Sequence, residues 1–177
     1  SSGRVGERLA LFEESIDSLR TSLLLSEELR GMRTLVITSA TNNEGKTSVA
    51  VELAVSIAQA TGHTTLLVDG DMRAPDIHRL LNIGMTPGLA EVLAHECLPP
   101  DAILNGWSKH VHVLPAGKLQ CSPHRLLGNG AAGSLMEQLR ASYKYIVIDT
   151  PPLLACAESL VLAKAADVTL LCAMRDV

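Results

Sequence analysis

Aromatic side chains are nearly absent: among 177 residues, Phe, Trp and Tyr occur at Phe12, Trp107, Tyr143 and Tyr145 alone. A core without them is built from Leu, Val, Ile and Ala, which suits helices laid on a parallel sheet covered on both faces. Cysteine is sparse as well. Cys97, Cys121, Cys156 and Cys172 show no C-x-x-C spacing, which argues against a disulfide framework and for a cytoplasmic, reducing compartment. Cys156 and Cys172 lie in apolar runs, where a free thiol behaves as a small hydrophobe. Neither sign of charge dominates: 15 Lys+Arg against 19 Asp+Glu leave a net −4, which argues against a nucleic-acid surface built on bulk charge, though not against a local patch, and no nucleic-acid partner is expected. No apolar run approaches the ~18 residues of a membrane span. The first residues, SSGRVGERLA, lack the apolar core of a signal peptide. Neither a repeat of fixed period nor a low-complexity linker divides the chain, so one domain is expected. What remains, 47% apolar and 19% charged, is the composition of a folded domain large enough to bury a sizeable core.

The apolar spacing then alternates between two periods. Residues 5–30 read as a helix, with Phe12, Ile16, Leu19 and Leu23 on one stripe and Gly31 at its end. TLVITSA (34–40) is β-branched and continuous, as a strand covered on both faces would be. Residues 47–60 place Val49, Ala50, Leu53, Ala54, Ile57 and Ala58 on one helical face, and Gly62 follows. Further strands are expected at 64–69, 111–117, 145–149 and 168–174. Helices are expected at 75–81, 88–93, 99–104, 134–142 and 158–165. Strand–helix alternation with continuous apolar strands predicts an α/β doubly wound sheet. Ligands of such sheets bind beyond the carboxyl ends of the strands.

Three of those ends carry chemistry. The first strand runs into SATNNEGKTS (39–48), which supplies the end of a G-x-x-x-x-G-K-[ST] loop as Gly45, Lys46 and Thr47. Such a loop turns backbone N–H groups toward phosphate, sends a Lys to the β/γ oxygens and offers a hydroxyl to Mg²⁺. The helix N-terminus adds its dipole. The first Gly of the pattern is Ala40 here. Asn42 and Asn43 form the crown, and Asn tolerates the left-handed conformation better than most residues. The second strand ends in VDGDMRAP (68–75), where Asp69 and Asp71, two apart, can both face the crevice in extended chain. Carboxylates there bind the ion, directly or through water, and accept a proton from a nucleophile. Arg73 has two partners open to it, phosphate or a neighbouring carboxylate. The fourth strand ends in IVIDTPP (146–152), where Asp149 at the tip of a buried strand has the Walker B arrangement. Thr150-Pro151-Pro152 stiffens the exit.

SATNNEGKT, LLVDGDMRAPDIHRLL, GLAEVL, VHVLPAG and YKYIVIDTPPLLA together resemble the cytoplasmic ATPase domain of the bacterial tyrosine kinases (BY-kinases), over about residues 14–177. The resemblance implies one doubly wound, mostly parallel sheet of the P-loop NTPase type, in its MinD/ParA-like branch. It implies an ATP-dependent protein-tyrosine autokinase that regulates polysaccharide chain length and export at the inner face of the cell membrane. It also implies ATP/ADP and Mg²⁺ as cofactors, tyrosine-containing protein substrates, and a transmembrane polysaccharide co-polymerase segment, fused or separate. Residues 1–33 become an N-terminal helical segment used in self-association as a ring or dimer, and 34–177 the nucleotide-binding domain. The family's last strand, its adenine-walling loop and its Tyr-rich tail have no counterpart up to Val177. By position, Lys46, Asp71 and Asp149 are the catalytic set, and Thr47, Asp71 and Asp149 the metal set. The nucleotide contacts fall on Ala40, Thr41, Asn42, Asn43, Glu44, Gly45, Lys46, Thr47 and Ser48, with Asp69 and Arg73 supporting.

Departures from the family sharpen the reading. Partition and septum-positioning ATPases carry a second Lys early in the loop, and Thr41 stands there instead, which favours the kinase branch. The family's E-x-x-R-x-x-R helix motif reads Glu14, Asp17, Arg20, and Glu158 replaces an Asp usual after the Pro pair. Two rival readings stay open: a partition-type ATPase switch, and a non-catalytic nucleotide-binding regulator of polysaccharide synthesis. Outside the motifs the residues read blandly. His110 and His112 alternate along a strand but are too few for a metal. Cys121 and His124, in CSPH, read as loop. Arg4, Arg8, Arg20, Arg30 and Arg33 suit a solvated, subunit-facing or membrane-facing surface equally. Trp107 reads either as an exposed contact or as loop packing, and no G-x-S-x-G elbow supports a hydrolase triad.

Overall fold

The computed structural model describes residues 2–174, with side chains from Val5 onward except at Gly106. The Arg4 side chain and the last three residues of the 34–177 domain lie outside the described residues. The elements in chain order are α1 (Ser2–Leu25), β1 (Thr34–Ser39), α2 (Lys46–Thr61), β2 (Thr65–Asp69), α3 (Ile77–Leu80), α4 (Leu89–Leu93) and α5 (Pro99–Ala102). They continue with β3 (Leu104–Ser108), β4 (Val111–Leu114), α6 (Pro123–Leu127), α7 (Ala131–Ser142), β5 (Tyr145–Asp149), α8 (Glu158–Lys164) and β6 (Val168–Cys172). One sheet holds all six strands in the order β3-β4-β2-β5-β1-β6. Every pairing is parallel except β3 with β4.

Both faces of the sheet are covered over the inner strands, which alternate between them with period two, whereas the edge strand β6 leaves Leu171 exposed. Leu35, Ile37, Leu67, Val113 and Val147 face α1 and α2, together with Leu53, Ile57 and Ile16. Val36, Leu66, Val68, Ile146 and Ile148 face the opposite layer, which holds Leu89, Leu93, Leu135, Met136 and Leu162. Continuous apolar strands are therefore what a sheet sandwiched between two helix layers requires. The Phe12–Leu23 stripe of α1 meets α2 as its spacing predicts, with Ile16 and Leu23 buried. Asp17 accepts a hydrogen bond from Arg20 at 3.0 Å and another from Ser56 of α2, and Arg20 also donates to Ser56 at 3.0 Å. At this position the departure from E-x-x-R-x-x-R makes a clasp within one molecule.

The order of strands positions the site. From β1 the chain crosses through α2 to β2, leaving a slot that β5 fills later. The carboxyl ends of β1, β5 and β2 consequently stand side by side, with Ile37 and Asp69 both in register with Asp149.

Four expectations are corrected. The first helix ends at Leu25 and not at Arg30, and Gly31 (φ 89°) belongs to the following turn. Residues 104–108 form an antiparallel edge strand; LNGWS has too few apolar residues to show alternation, and Trp107 packs half-buried against the α1–α2 core. The CSPH stretch opens α6 with Pro123 in its first turn, where a missing N–H costs nothing. His110 precedes β4, and its carbonyl accepts the N–H of Thr65. His112 meets the Tyr143 hydroxyl at 2.8 Å through Nδ1.

Leu53, fully buried on the inner face of α2, should cost about 2–5 kcal/mol when cut to Ala. The exposed Leu11 should tolerate the same change within about 0.5 kcal/mol. Urea unfolding of the two variants beside wild type measures the difference.

Candidate functional site

The phosphate loop begins where β1 stops. Asn43 (φ 64°) and Gly45 (φ 77°) both adopt left-handed backbone, which turns successive N–H groups to one side and makes an anion-binding nest. An Asn thus fills a position that usually asks for Gly. The loop is braced from within: the Thr41 N–H donates to Glu44 Oε2 at 2.9 Å, and Ser39 Oγ donates to the Thr41 carbonyl at 2.6 Å. That amide holds Glu44 below the usual carboxylate range. From outside, the Leu153 N–H donates to the Ser39 carbonyl at 2.8 Å, and Thr38 Oγ1 to the Pro151 carbonyl at 3.0 Å. The Thr-Pro-Pro exit from β5 is therefore the wall against which the loop rests.

At the start of α2, Thr47 Oγ1 donates to Asp149 Oδ2 at 2.7 Å. Asp149 is fully buried, and its other oxygen, Oδ1, has no partner. Burial pushes this carboxyl up to about 6, opposed by Lys46 and the Thr47 hydroxyl, which favour the charged form. Across the gap, Lys46 Nζ lies 3.5 Å from Asp71 Oδ2. The other Asp71 oxygen accepts the Ala74 N–H at 3.0 Å. Asn42, Asn43, Glu44, Gly45, Lys46, Thr47, Ser48 and Asp71 line a cavity of about 390 Å³, which Ala74 and Asp76 complete. A larger cavity, about 510 Å³, opens between α4 and α7, but its walls carry no carboxylate and it lies away from these strand ends.

The remaining expected residues stand behind this cavity. Asp69 is fully buried and accepts the N–H groups of Asp71 and Ile77, each at 3.2 Å. Burial, with Asp149 beside it, pushes Asp69 up to about 8. Arg73 takes the second of its two options: its guanidinium donates to Glu158 at 2.6 Å. Ala40 and Thr41 form the root of the loop. Along the chain Gly70, in the middle of D-G-D, reads as an ordinary Asp-Gly turn. Its N–H donates to the Asp149 carbonyl at 2.7 Å, and a Cβ there would lie 2.6 Å from that same oxygen. Only Gly lets the β2 exit approach β5 this closely.

The donors suit a magnesium ion. Asp149 has an unsatisfied buried oxygen, and the Thr47 hydroxyl touches its neighbour. Among the described residues no group of three or more His, Cys, Asp or Glu side chains is placed to hold a metal. Magnesium keeps several waters and takes phosphate oxygens, so one or two protein ligands serve it.

The AAA domain family matches residues 32–175. The chain is 34% identical to the tyrosine-protein kinase YwqD of Bacillus subtilis, over 91% of its own length and 68% of that protein. It is also 34% identical to the tyrosine-protein kinase wzc of Salmonella typhimurium, over 96% of its length but 23% of the relative. The kinase domain of the Escherichia coli tyrosine kinase ETK superposes with a TM-score of 0.84 at 31% identity, over 91% of this chain and 63% of that one. The chain therefore spans about two thirds of YwqD and of the ETK kinase domain, and less than a quarter of wzc.

Gly70→Ala should force β2 and β5 apart and cost about 1–3 kcal/mol, as overpacking does, read as a fall in the urea midpoint. A pH series tests the buried acids. Asp69 and Asp149 titrate above the ordinary Asp value when folded, so the folded state binds more protons than the unfolded one between about pH 4 and 8. Their contribution is present below that window and lost as pH rises through it. The melting temperature of the nucleotide-free protein should fall from pH 5 to 8, with a shallower slope in Asp69→Asn.

Proposed function

The chain belongs to the bacterial tyrosine-protein kinases of the AAA domain family, and from that premise we propose that it binds ATP with magnesium and transfers the γ-phosphoryl group to tyrosine. The observation that carries this reading is the Lys46–Asp71 pair, a cation and a carboxylate 3.5 Å apart on one cavity wall. Phosphoryl transfer needs positioning and charge stabilisation more than covalent chemistry. The nest around Asn43 and Gly45 receives phosphate oxygens, the α2 N-terminus lends its dipole, and Lys46 neutralises the β/γ oxygens. Asp71 orients the tyrosine hydroxyl and accepts its proton. Thr47 and Asp149 would hold magnesium, which when bound offsets the charge that builds on the phosphate oxygens. Asp69 and Arg73 keep the Asp71 loop in shape.

The same proposal extends to the setting. Joined to a transmembrane polysaccharide co-polymerase segment, fused or separate, the domain regulates chain length and export from the inner face of the membrane. No described helix is long and apolar enough to cross a membrane. Self-association through α1 completes the assembly, with Val5, Leu9 and Leu11 exposed on it. Substrates are tyrosine-containing proteins. A hydrolysing switch would present water to the same Asp71; Thr41, in place of that group's second Lys, favours the kinase.

Transfer from ATP-Mg²⁺ to a Tyr-rich acceptor peptide tests the reading, with Lys46→Met and total phosphate release followed together. Loss of Lys46 should remove ~2.7–4 kcal/mol of transition-state stabilisation, the scale of one preorganised donor, and abolish measurable phosphotyrosine. Phosphate release without phosphotyrosine would favour the switch, and nucleotide binding without turnover the non-catalytic regulator.

A further inference from the structure

We infer that Glu158 is a positioning residue: it holds Arg73, and through Arg73 the loop 70–76, so that Asp71 stays aimed at Lys46 across the phosphate cavity. The inference rests on the kinase reading of this site. Glu158 opens α8 and is buried, whereas the Arg73 side chain is half-exposed. A buried carboxylate is costly unless it is paired, so it draws in an arginine that water would otherwise solvate. The resulting contact is short, 2.6 Å between Arg73 Nη2 and Glu158 Oε1.

The anchor behind it is firm. Ser159 Oγ donates to the Pro151 carbonyl, tying α8 to the wall of the phosphate loop. Leu162 lies against Gly70, where a Cβ would meet its Cδ1 at 3.0 Å. From that anchor the contacts run in series. Glu158 holds Arg73, the next residue's N–H donates to Asp71 Oδ1 at 3.0 Å, and Asp71 Oδ2 faces Lys46. The loop's other ties nearby are backbone amides, Gly70 to the Asp149 carbonyl and Asp71 and Ile77 to Asp69, and the Met72 side chain, which is buried in the core. Among the described residues, Arg73–Glu158 is the one ion pair besides Lys46–Asp71 that joins residues 70–75 to another element. Releasing it frees the Ala74 N–H and unfixes Asp71 while the nucleotide loop stays intact.

A simple acidic charge at the start of α8 predicts something different. Glu158→Asp keeps that charge but ends one methylene short of Arg73. If reach matters, Glu158→Asp and Glu158→Gln both exchange the Ala74 amide faster in hydrogen–deuterium exchange. In the peptide assay both also lower kcat, on the order of 10–100-fold, the scale of a small misplacement, with the KM for ATP-Mg²⁺ held within about two-fold. The double variant Arg73→Gln/Glu158→Gln should be no worse than Glu158→Gln alone, because both act through one contact. Wild-type kcat in Glu158→Asp, unchanged Ala74 exchange, or a raised KM at constant kcat would each overturn the inference. Wild-type protein that forms no phosphotyrosine overturns the kinase reading instead. Exchange at Ala74 in Glu158→Asp then decides the strap by itself: faster supports it, unchanged refutes it.

Discussion

Burial of Asp149 is the constraint on which the site depends. β5 lies between β1 and β2 with every residue buried, so the carboxylate at its tip has nowhere to find water. Thr47 satisfies one oxygen, Lys46 lends its charge, and the second oxygen is left without a partner. A group so placed costs free energy unless protonated or met by a cation. Burial therefore favours the protonated form of Asp149, and the Lys46 charge opposes it.

Two carboxylates, Asp71 and Asp149, lie within the influence of one lysine, and Asp69 stands behind them. A triphosphate would add further negative charge to the same spot. Three features offset that excess: the Lys46 side chain, the amide nest at Asn43–Gly45, and the amino end of a 16-residue helix. In the proposed function, a divalent cation held by Thr47 and Asp149 would supply the remainder. The acids differ in what they can do because their surroundings differ. Asp69 is buried and accepts two backbone amides, while Asp71 lines the open cavity.

Much of this was legible along the chain, and the reason is local. Asp69, Asp71 and Asp149 stand at or just past the end of a continuous apolar run, and Lys46 and Thr47 follow another through a short loop; short β-branched runs alternating with helical stripes read as strands. Once the strands are parallel, their ends lie on one edge of the sheet. β3 stayed hidden because its pairing with β4 is antiparallel and its sequence, LNGWS, carries no alternation. Glu158 and Ser56 stayed hidden for another reason: their partners, Arg73 and Asp17, are 85 and 39 residues away. Gly70 had a visible signal, a glycine between two acids, but its need for contact with the Asp149 carbonyl exists only across strands.

The sequence alone determined the residue chemistry and its grouping: a phosphate loop that Asn43 can bend in place of Gly, a pair of acids two apart, and one acid at a buried strand tip. Period and turn chemistry act over a few residues, so they survive in one dimension. Only the tertiary structure decided which acid faces the cavity, which is spent on backbone amides, and that Arg73 turns to Glu158. Those outcomes hang on distances of about 3 Å between segments far apart in sequence, set by the slot β5 fills between β1 and β2.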